Sequence, residues 1–207
     1  MSREAVEHLR AADPVMAELI DRYGEIDVVP GHRRGLDDYT ALVRSIAGQQ
    51  LSVKAAKAIY GRLLEFFGGH PPAPQQLLDA DPDAMRVAAG LSRAKTTFLR
   101  SLAEHVLDGS LDLAALRELP DDEVIAQLVA VKGIGEWSSH MFLMFQLGRP
   151  DVLAVGDLGI RRAVERAYRL PDLPAAAELE RLAEPWRPYR TLACRYLWAS
   201  LENTPNA

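Results

Sequence analysis

Apolar positions recur every three or four residues along almost the whole chain, and no segment alternates strictly between apolar and polar. Tyr39, Leu42, Val43 and Ile46 share one face of a helix that starts near Asp37 and stops at Gly48. Ser52 is placed to cap a long helix running to Phe67, with Val53, Ala56, Tyr60, Leu63, Leu64 and Phe67 facing inward. Asp81-Pro82 opens a short helix closed by Gly90, and Ser92 caps another whose stripe is Phe98, Leu99, Leu102 and Val106, ended by Gly109. A brief helix is expected around Asp112 to Leu119, before Pro120. Upstream, Asp13-Pro14 is a cap followed by proline at the first helical position, Gly24 closes that helix, and Asp27 to Gly35 reads as a linker. Towards the other end, Pro174 to Glu184 reads as helix, and Pro188 opens a last helix with Tyr189, Leu192, Ala193, Tyr196 and Leu197 inward.

The most informative stretch is Val124 to Tyr168. A helix carrying Val124, Ile125, Leu128 and Val131 runs into Lys132-Gly133-Ile134-Gly135, a turn too tight for ordinary residues, and a second helix follows from Glu136 to about Leu147. The amides of Gly133 and Gly135, with the first turn of the second helix, are then expected to point outward as an anion site. An extended run, Val152 to Val155, leads to Gly156-Asp157 and a third helix. An aspartate in that position caps the helix, and the positive end of the helix dipole favours its charged form. Such an anion suits a site where positive charge develops, and does not suit a general acid.

Alternating strand runs, repeats and low-complexity tracts are absent, so the expected fold is all-α: two helical lobes with a cleft between them. One lobe is expected over 37–118; the other comprises 119–207 packed with 1–36.

Composition narrows this further. Hydrophobic residues make up 48%, yet no apolar run reaches membrane-spanning length, and the N-terminus lacks the layout of a secretory signal. Cys194 is the only cysteine, which excludes an internal disulfide and a thiolate metal cluster and fits the reducing cytoplasm; a small buried residue is expected there. A net charge of −5 weighs against nucleic acid as a partner, but a site needs only local charge. Arg161, Arg162, Arg166 and Arg169 cluster just after Asp157, opposed nearby only by Glu165, so modest and strongly salt-sensitive DNA binding is expected.

Val131-Lys132-Gly133-Ile134-Gly135 followed by Val155-Gly156-Asp157 resembles the helix-hairpin-helix DNA glycosylase superfamily, and within it the AlkA-type 3-methyladenine DNA glycosylases. Ser45-Ile46-Ala47-Gly48-Gln49-Gln50-Leu51-Ser52 is similar to that family's Gly-Gln-Gln turn, and Gly90-Leu91-Ser92-Arg93-Ala94-Lys95 is a third match. The resemblance covers roughly residues 37 to 200. It implies that Asp157 is the catalytic carboxylate, and that Lys132, Gly133, Ile134 and Gly135 hold a phosphate of damaged duplex DNA. The carbonyls of Val129, Val131 and Ile134 match positions that bind a monovalent cation, sodium or potassium, in relatives. Gln49, Gln50, Leu51 and Ser52 match the turn that enters the minor groove, with Gln50 or Leu51 as the plug. Trp137 stands where strand-cutting relatives carry a lysine; it and Trp198 match aromatics of the base pocket, and Met141 replaces a tyrosine of some relatives. No further cofactor is implied, and the four-cysteine iron–sulfur loop of the endonuclease branch is absent. The expectation is a monomeric, monofunctional enzyme excising alkylated bases such as 3-methyladenine and 7-methylguanine, without the β-rich domain that opens longer AlkA proteins. Two alternatives stand beside it: a non-catalytic helix-hairpin-helix module, and a glycosylase for mismatched or oxidised bases.

Overall fold

The computed structural model of the chain describes residues 3–26 and 35–202. The expected linker lies outside them, except for Gly35. The helices are α1 (Arg3–Ala12), α2 (Pro14–Tyr23), α3 (Asp38–Gly48), α4 (Val53–Phe66), α5 (Pro74–Asp79), α6 (Pro82–Ala89), α7 (Arg93–Leu107), α8 (Asp121–Ala130), α9 (Glu136–Phe142), α10 (Leu158–Ala167), α11 (Ala176–Leu182) and α12 (Arg190–Glu202). Among the described residues there is no β-strand, and no helix is long and apolar enough to cross a membrane.

The caps expected from sequence set most boundaries. The side chains of Asp13, Asp37, Ser52, Asp81, Ser92 and Asp157 each accept a backbone amide at the start of their helix. Several elements differ from expectation. Helix α1 lies ahead of the first element expected. The helix expected over Asp112–Leu119 shrinks to a 3₁₀ turn at Ala115–Arg117, because the Asp112 carboxylate takes the amides of Ala114 and Ala115 into a tighter turn. The second hairpin helix ends at Phe142, and the chain widens into a π turn over Leu143–Leu147. The segment expected as helix over Pro174–Glu184 is helical only at α11, followed by a 3₁₀ turn at Glu184–Trp186. Val53, expected inward, is 88% exposed: with Ser52 as cap it sits on the first turn of α4, ahead of the part that packs.

The chain divides into two compact units, 35–139 and 1–34 with 140–207. The sequence reading placed the second boundary at 118/119; the structure sets it within α9, so α8 and the glycine turn belong with α3–α7. In the first unit α7 packs on α3, α5 and α6, and α4 packs on α3 and α6. Val43, Ile46, Leu63, Leu77, Met85, Leu99, Leu102 and Leu128 fill its core.

In the second unit α12 packs on α2 and α10, and α1 packs on α2. Its core, including Leu9, Met16, Ile160, Val164 and Tyr196, holds one buried polar knot. Asp13 Oδ1 caps α2 through the amides of Val15 and Met16, while Oδ2 accepts the indole of Trp186 at 2.8 Å and the hydroxyl of Tyr168. Burial and this bond together push the Tyr168 phenol well above its usual range. A second knot anchors the chain ahead of α10. Thr191 Oγ1 donates to the Arg149 carbonyl at 2.8 Å and accepts the Val152 amide at 3.0 Å, and the Asp151 carboxylate takes Arg190 at 2.7 Å and Arg187 at 2.8 Å. The run entering α10 is thereby pinned to α12, with Val152, Leu153 and Ala154 buried. Cys194 is buried against it, and burial pushes its thiol up to about 12, which leaves it unreactive.

Asp13→Ala removes a cap and strands the buried Trp186 indole and the half-buried Tyr168 hydroxyl, so it is expected to lower unfolding free energy by about 3 kcal/mol. Asp13→Asn, which retains an acceptor for the cap, should cost less. Urea denaturation of both variants checks the order.

Candidate active site

In the first unit the glycine turn is built around one residue. Gly133 has φ 85°, in the left-handed region. A side chain there is excluded twice, because a Cβ would lie 2.2 Å from Cδ2 and 2.3 Å from Cγ of Phe98. The Phe98 ring of α7 therefore rests directly on the turn. The Lys132 amide donates to Ser101 Oγ at 3.2 Å, and the Ile134 amide to the Val131 carbonyl at 3.1 Å. Ile134 is 5% exposed, so its side chain is an anchor. Of the four turn residues expected to meet a ligand, Ile134 thus shapes the turn and Lys132 is exposed.

Gly135 differs from Gly133. Its φ is ordinary and a Cβ would meet nothing within 4 Å, so neither conformation nor packing requires glycine. Its carbonyl accepts the amide and hydroxyl of Ser139, which ties it to α9, and the bare Cα leaves the approach to the turn open. Among the described residues the amides of Gly133 and Gly135 have no protein partner. That arrangement can hold an anion close to the backbone.

The Gln49–Ser52 turn lies beside the glycine turn, joined to it by one bond: Gln49 Nε2 donates to the Gly133 carbonyl at 2.8 Å. Gln50 sits in the left-handed region at φ 57°, and is exposed, as is Leu51. Ser52 is committed to capping α4. Lys95, from the third sequence match, donates to the Ala47 carbonyl at 2.9 Å and so steadies the end of α3 from which this turn departs. A groove of about 750 Å³ in this unit is lined by Arg44, Gln49, Gln50, Leu51, Phe98 and Trp137, among others. Trp137 is 50% exposed, unusual for the largest apolar side chain in a core and fitting for a ring that meets a ligand.

In the second unit Asp157 caps α10. Its Oδ1 accepts the Ile160 amide at 2.7 Å and the indole N–H of Trp198 at 3.1 Å. Trp198 leans on Phe145 of the π turn, with ring centroids 6.0 Å apart, and the Arg195 guanidinium lies 5.5 Å over the far ring. Met141 is half-buried, four positions after Trp137 on α9. The third tryptophan, Trp186, is fully buried in the polar knot and takes no part.

Two contributors escaped the sequence reading. Gln49 is a tie between turns as well as a candidate DNA contact, and only the fold brings it to Gly133, 84 positions away. Gly159 stands in the first turn of α10, where its missing side chain makes room for Asp157 and Trp198. A glycine inside a helix, about 1 kcal/mol worse than alanine, was the available signal.

The sequence profile of the HhH-GPD superfamily of base excision DNA repair proteins matches residues 43–188, which take in both glycine-bearing turns and Asp157. The chain belongs to that superfamily. It is 38% identical to DNA-3-methyladenine glycosylase 1 of Schizosaccharomyces pombe over 78% of this chain and 72% of that protein. Among solved structures, a DNA-3-methyladenine glycosidase from Bacillus halodurans superposes with a TM-score of 0.86 at 38% identity, covering 96% of this chain and 89% of that one. The 3-methyladenine DNA glycosylase Mag1 of S. pombe, solved in complex with abasic DNA, superposes with a TM-score of 0.83 at 32% identity, covering 99% of both chains. The helix-only architecture of the described residues is that of this superfamily.

The two glycines of the HhH-GPD hairpin should separate on substitution. Gly133→Ala forces a left-handed alanine into the Phe98 ring and is expected to cost about 3 kcal/mol. Gly135→Ala is expected to stay within about 0.5 kcal/mol of the parent. Chemical denaturation of the two variants measures the difference.

Proposed function

We propose that this HhH-GPD protein is a monofunctional DNA glycosylase that flips alkylated bases out of duplex DNA and hydrolyses the N-glycosidic bond, leaving an abasic site. The observation that carries the reading is the Asp157 carboxylate, fixed at the head of α10 by the Ile160 amide and the Trp198 indole. The names of the three relatives described above, each a glycosylase or glycosidase of 3-methyladenine, support the alkylated substrate class.

Alkylation at a purine ring nitrogen gives the base a positive charge and makes it a good leaving group, so protonation by a strong general acid is unnecessary. What the reaction needs is an anion beside the sugar as its C1′ becomes oxocarbenium-like, and a water on the same centre. Asp157 supplies the anion and orients the water. The bond to the base breaks with its electron pair leaving on the base, which becomes neutral, and the water oxygen takes its place, losing a proton to solvent. Trp137 cannot attack C1′ as an amine, so no Schiff base forms and the strand stays intact. Its exposed indole instead offers an electron-rich face to a cationic base; in the unit that carries Asp157, Trp198 and Met141 are the candidate substrate contacts.

The remaining roles follow from the first unit. The amides of Gly133 and Gly135 take a DNA phosphate, with Lys132 adding charge. Gln50, presented by its left-handed backbone, and Leu51 fill the gap left by the extruded base, which offsets part of the unstacking cost. A monovalent cation fits the carbonyls proposed for it. Val129 lies in the last turn of α8, where carbonyls lack helix partners, and the Val131 carbonyl, engaged by Ile134, has a second lone pair. Neutral oxygen donors suit a hard ion, which would add positive charge at the phosphate site.

Asp157→Asn keeps a cap acceptor and removes the charge. Release of 3-methyladenine from methylated duplex should fall on the order of 1000-fold while binding to abasic duplex persists. The parent protein should yield strand breaks only after alkali treatment. Base release by the Asn variant at the parental rate, or breaks without alkali, would contradict the assignment.

A further inference from the structure

The geometry points to Gly159 as a positioning residue for the glycosylase reaction, a claim that rests on the function proposed above. Gly159 is the second residue of α10, two positions after the Asp157 cap, and its φ is ordinary for a helix. Backbone conformation therefore gives no reason for glycine, and helix propensity argues against it. The reason lies outside the helix. A Cβ at Gly159 would stand 2.9 Å from Asp157 Oδ1 and 3.4 Å from both Cδ1 and Nε1 of Trp198. A carbon cannot sit 2.9 Å from that oxygen, so something must move. The α10 backbone is held by its own ladder and by buried Ile160, Ala163 and Val164. Trp198 packs against Phe145. The movable part is the Asp157 carboxylate, and any rotation that relieves the contact breaks one or both of its bonds to Ile160 and Trp198. Glycine at this position thus sets the plane of the carboxylate without touching substrate.

Gly61 provides a matched control. It too is a helical glycine, on α4, but a Cβ there meets nothing within 4 Å. Gly61→Ala should raise the thermal midpoint and leave base release unchanged. Gly159→Ala should leave the protein folded with a midpoint no higher than the parent's, since the helix-propensity gain is offset by the Asp157 bonds lost, yet slow single-turnover release of 3-methyladenine by about 100-fold, the scale of a misplaced reacting group. The protein concentration giving half-maximal rate should move by less than about twofold, because only the reacting geometry is altered. Gly159→Ser should be slower still. A second readout is independent of catalysis. The Trp198 indole N–H proton, assigned by its disappearance in Trp198→Phe, should move upfield in Gly159→Ala as its bond to Asp157 is lost. Slowed release with an altered indole signal supports the proposal. An unchanged rate, or an unchanged indole signal, overturns it. If the parent protein releases no methylated base while the indole signal shifts as described, the functional reading fails and the geometric role of Gly159 stands.

Discussion

A carboxylate beside a developing cation is useful only if it is charged and cannot turn away. In the function proposed for this protein that requirement falls on Asp157. One oxygen takes both an amide of the α10 first turn and the indole N–H of Trp198, so the side chain is gripped from its own helix and from α12. The grip would mean little if α10 could drift. It cannot, because the chain entering it is buried and pinned to α12 by Thr191 and by the Asp151 clamp on Arg187 and Arg190. The same helix α12 thus fixes both the approach to the carboxylate and one of its donors. Long charged side chains such as those of the clamp add little when solvated, but here they close on a loop that is already packed.

In the proposed function the first unit meets a different demand, presenting backbone amides to a phosphate without letting the turn collapse. Gly133 carries that burden. Its left-handed backbone reverses the chain, its bare Cα accepts the Phe98 ring, and its carbonyl receives Gln49. The last of these contacts makes the turn that bears Gln50 and Leu51 move with the hairpin. Lys95 reinforces the same turn from the other side through Ala47. The glycine turn, the Gln49–Ser52 turn and the Lys95 stretch that resemble the glycosylase family are therefore parts of one bonded assembly in this unit, and Gly135 is the part of it where a side chain would meet nothing.

The polar knot around Asp13 and the anchored turn around Gly133 also mark where substitution is least tolerated. Both place groups in which several demands coincide, so no single alternative residue meets all of them. Exposed positions such as Val53 and Leu51 meet no such coincidence of demands.

Much of this was legible in the chain itself. Capping residues and 3.6-residue periodicity located nearly every helix, since both are local: a cap needs only its own first turn, and a stripe only one face. The same locality marked the glycine turn and Asp157 as chemistry-bearing. It failed where distant residues decide. Val53 fits an inward stripe, but the first turn of α4 has nothing to pack against. The end of α9 became a π turn, and the unit boundary fell inside that helix, at places no spacing announces. Above all, the sequence could name Gly133, Gln49 and Trp198, and passed over Gly159, without saying why they are what they are. Their reasons are the Phe98 ring, the Asp157 oxygen and a carbonyl 84 positions away, brought within contact only when the helices pack, because steric exclusion and hydrogen bonding act over a few ångströms of space and not along the chain.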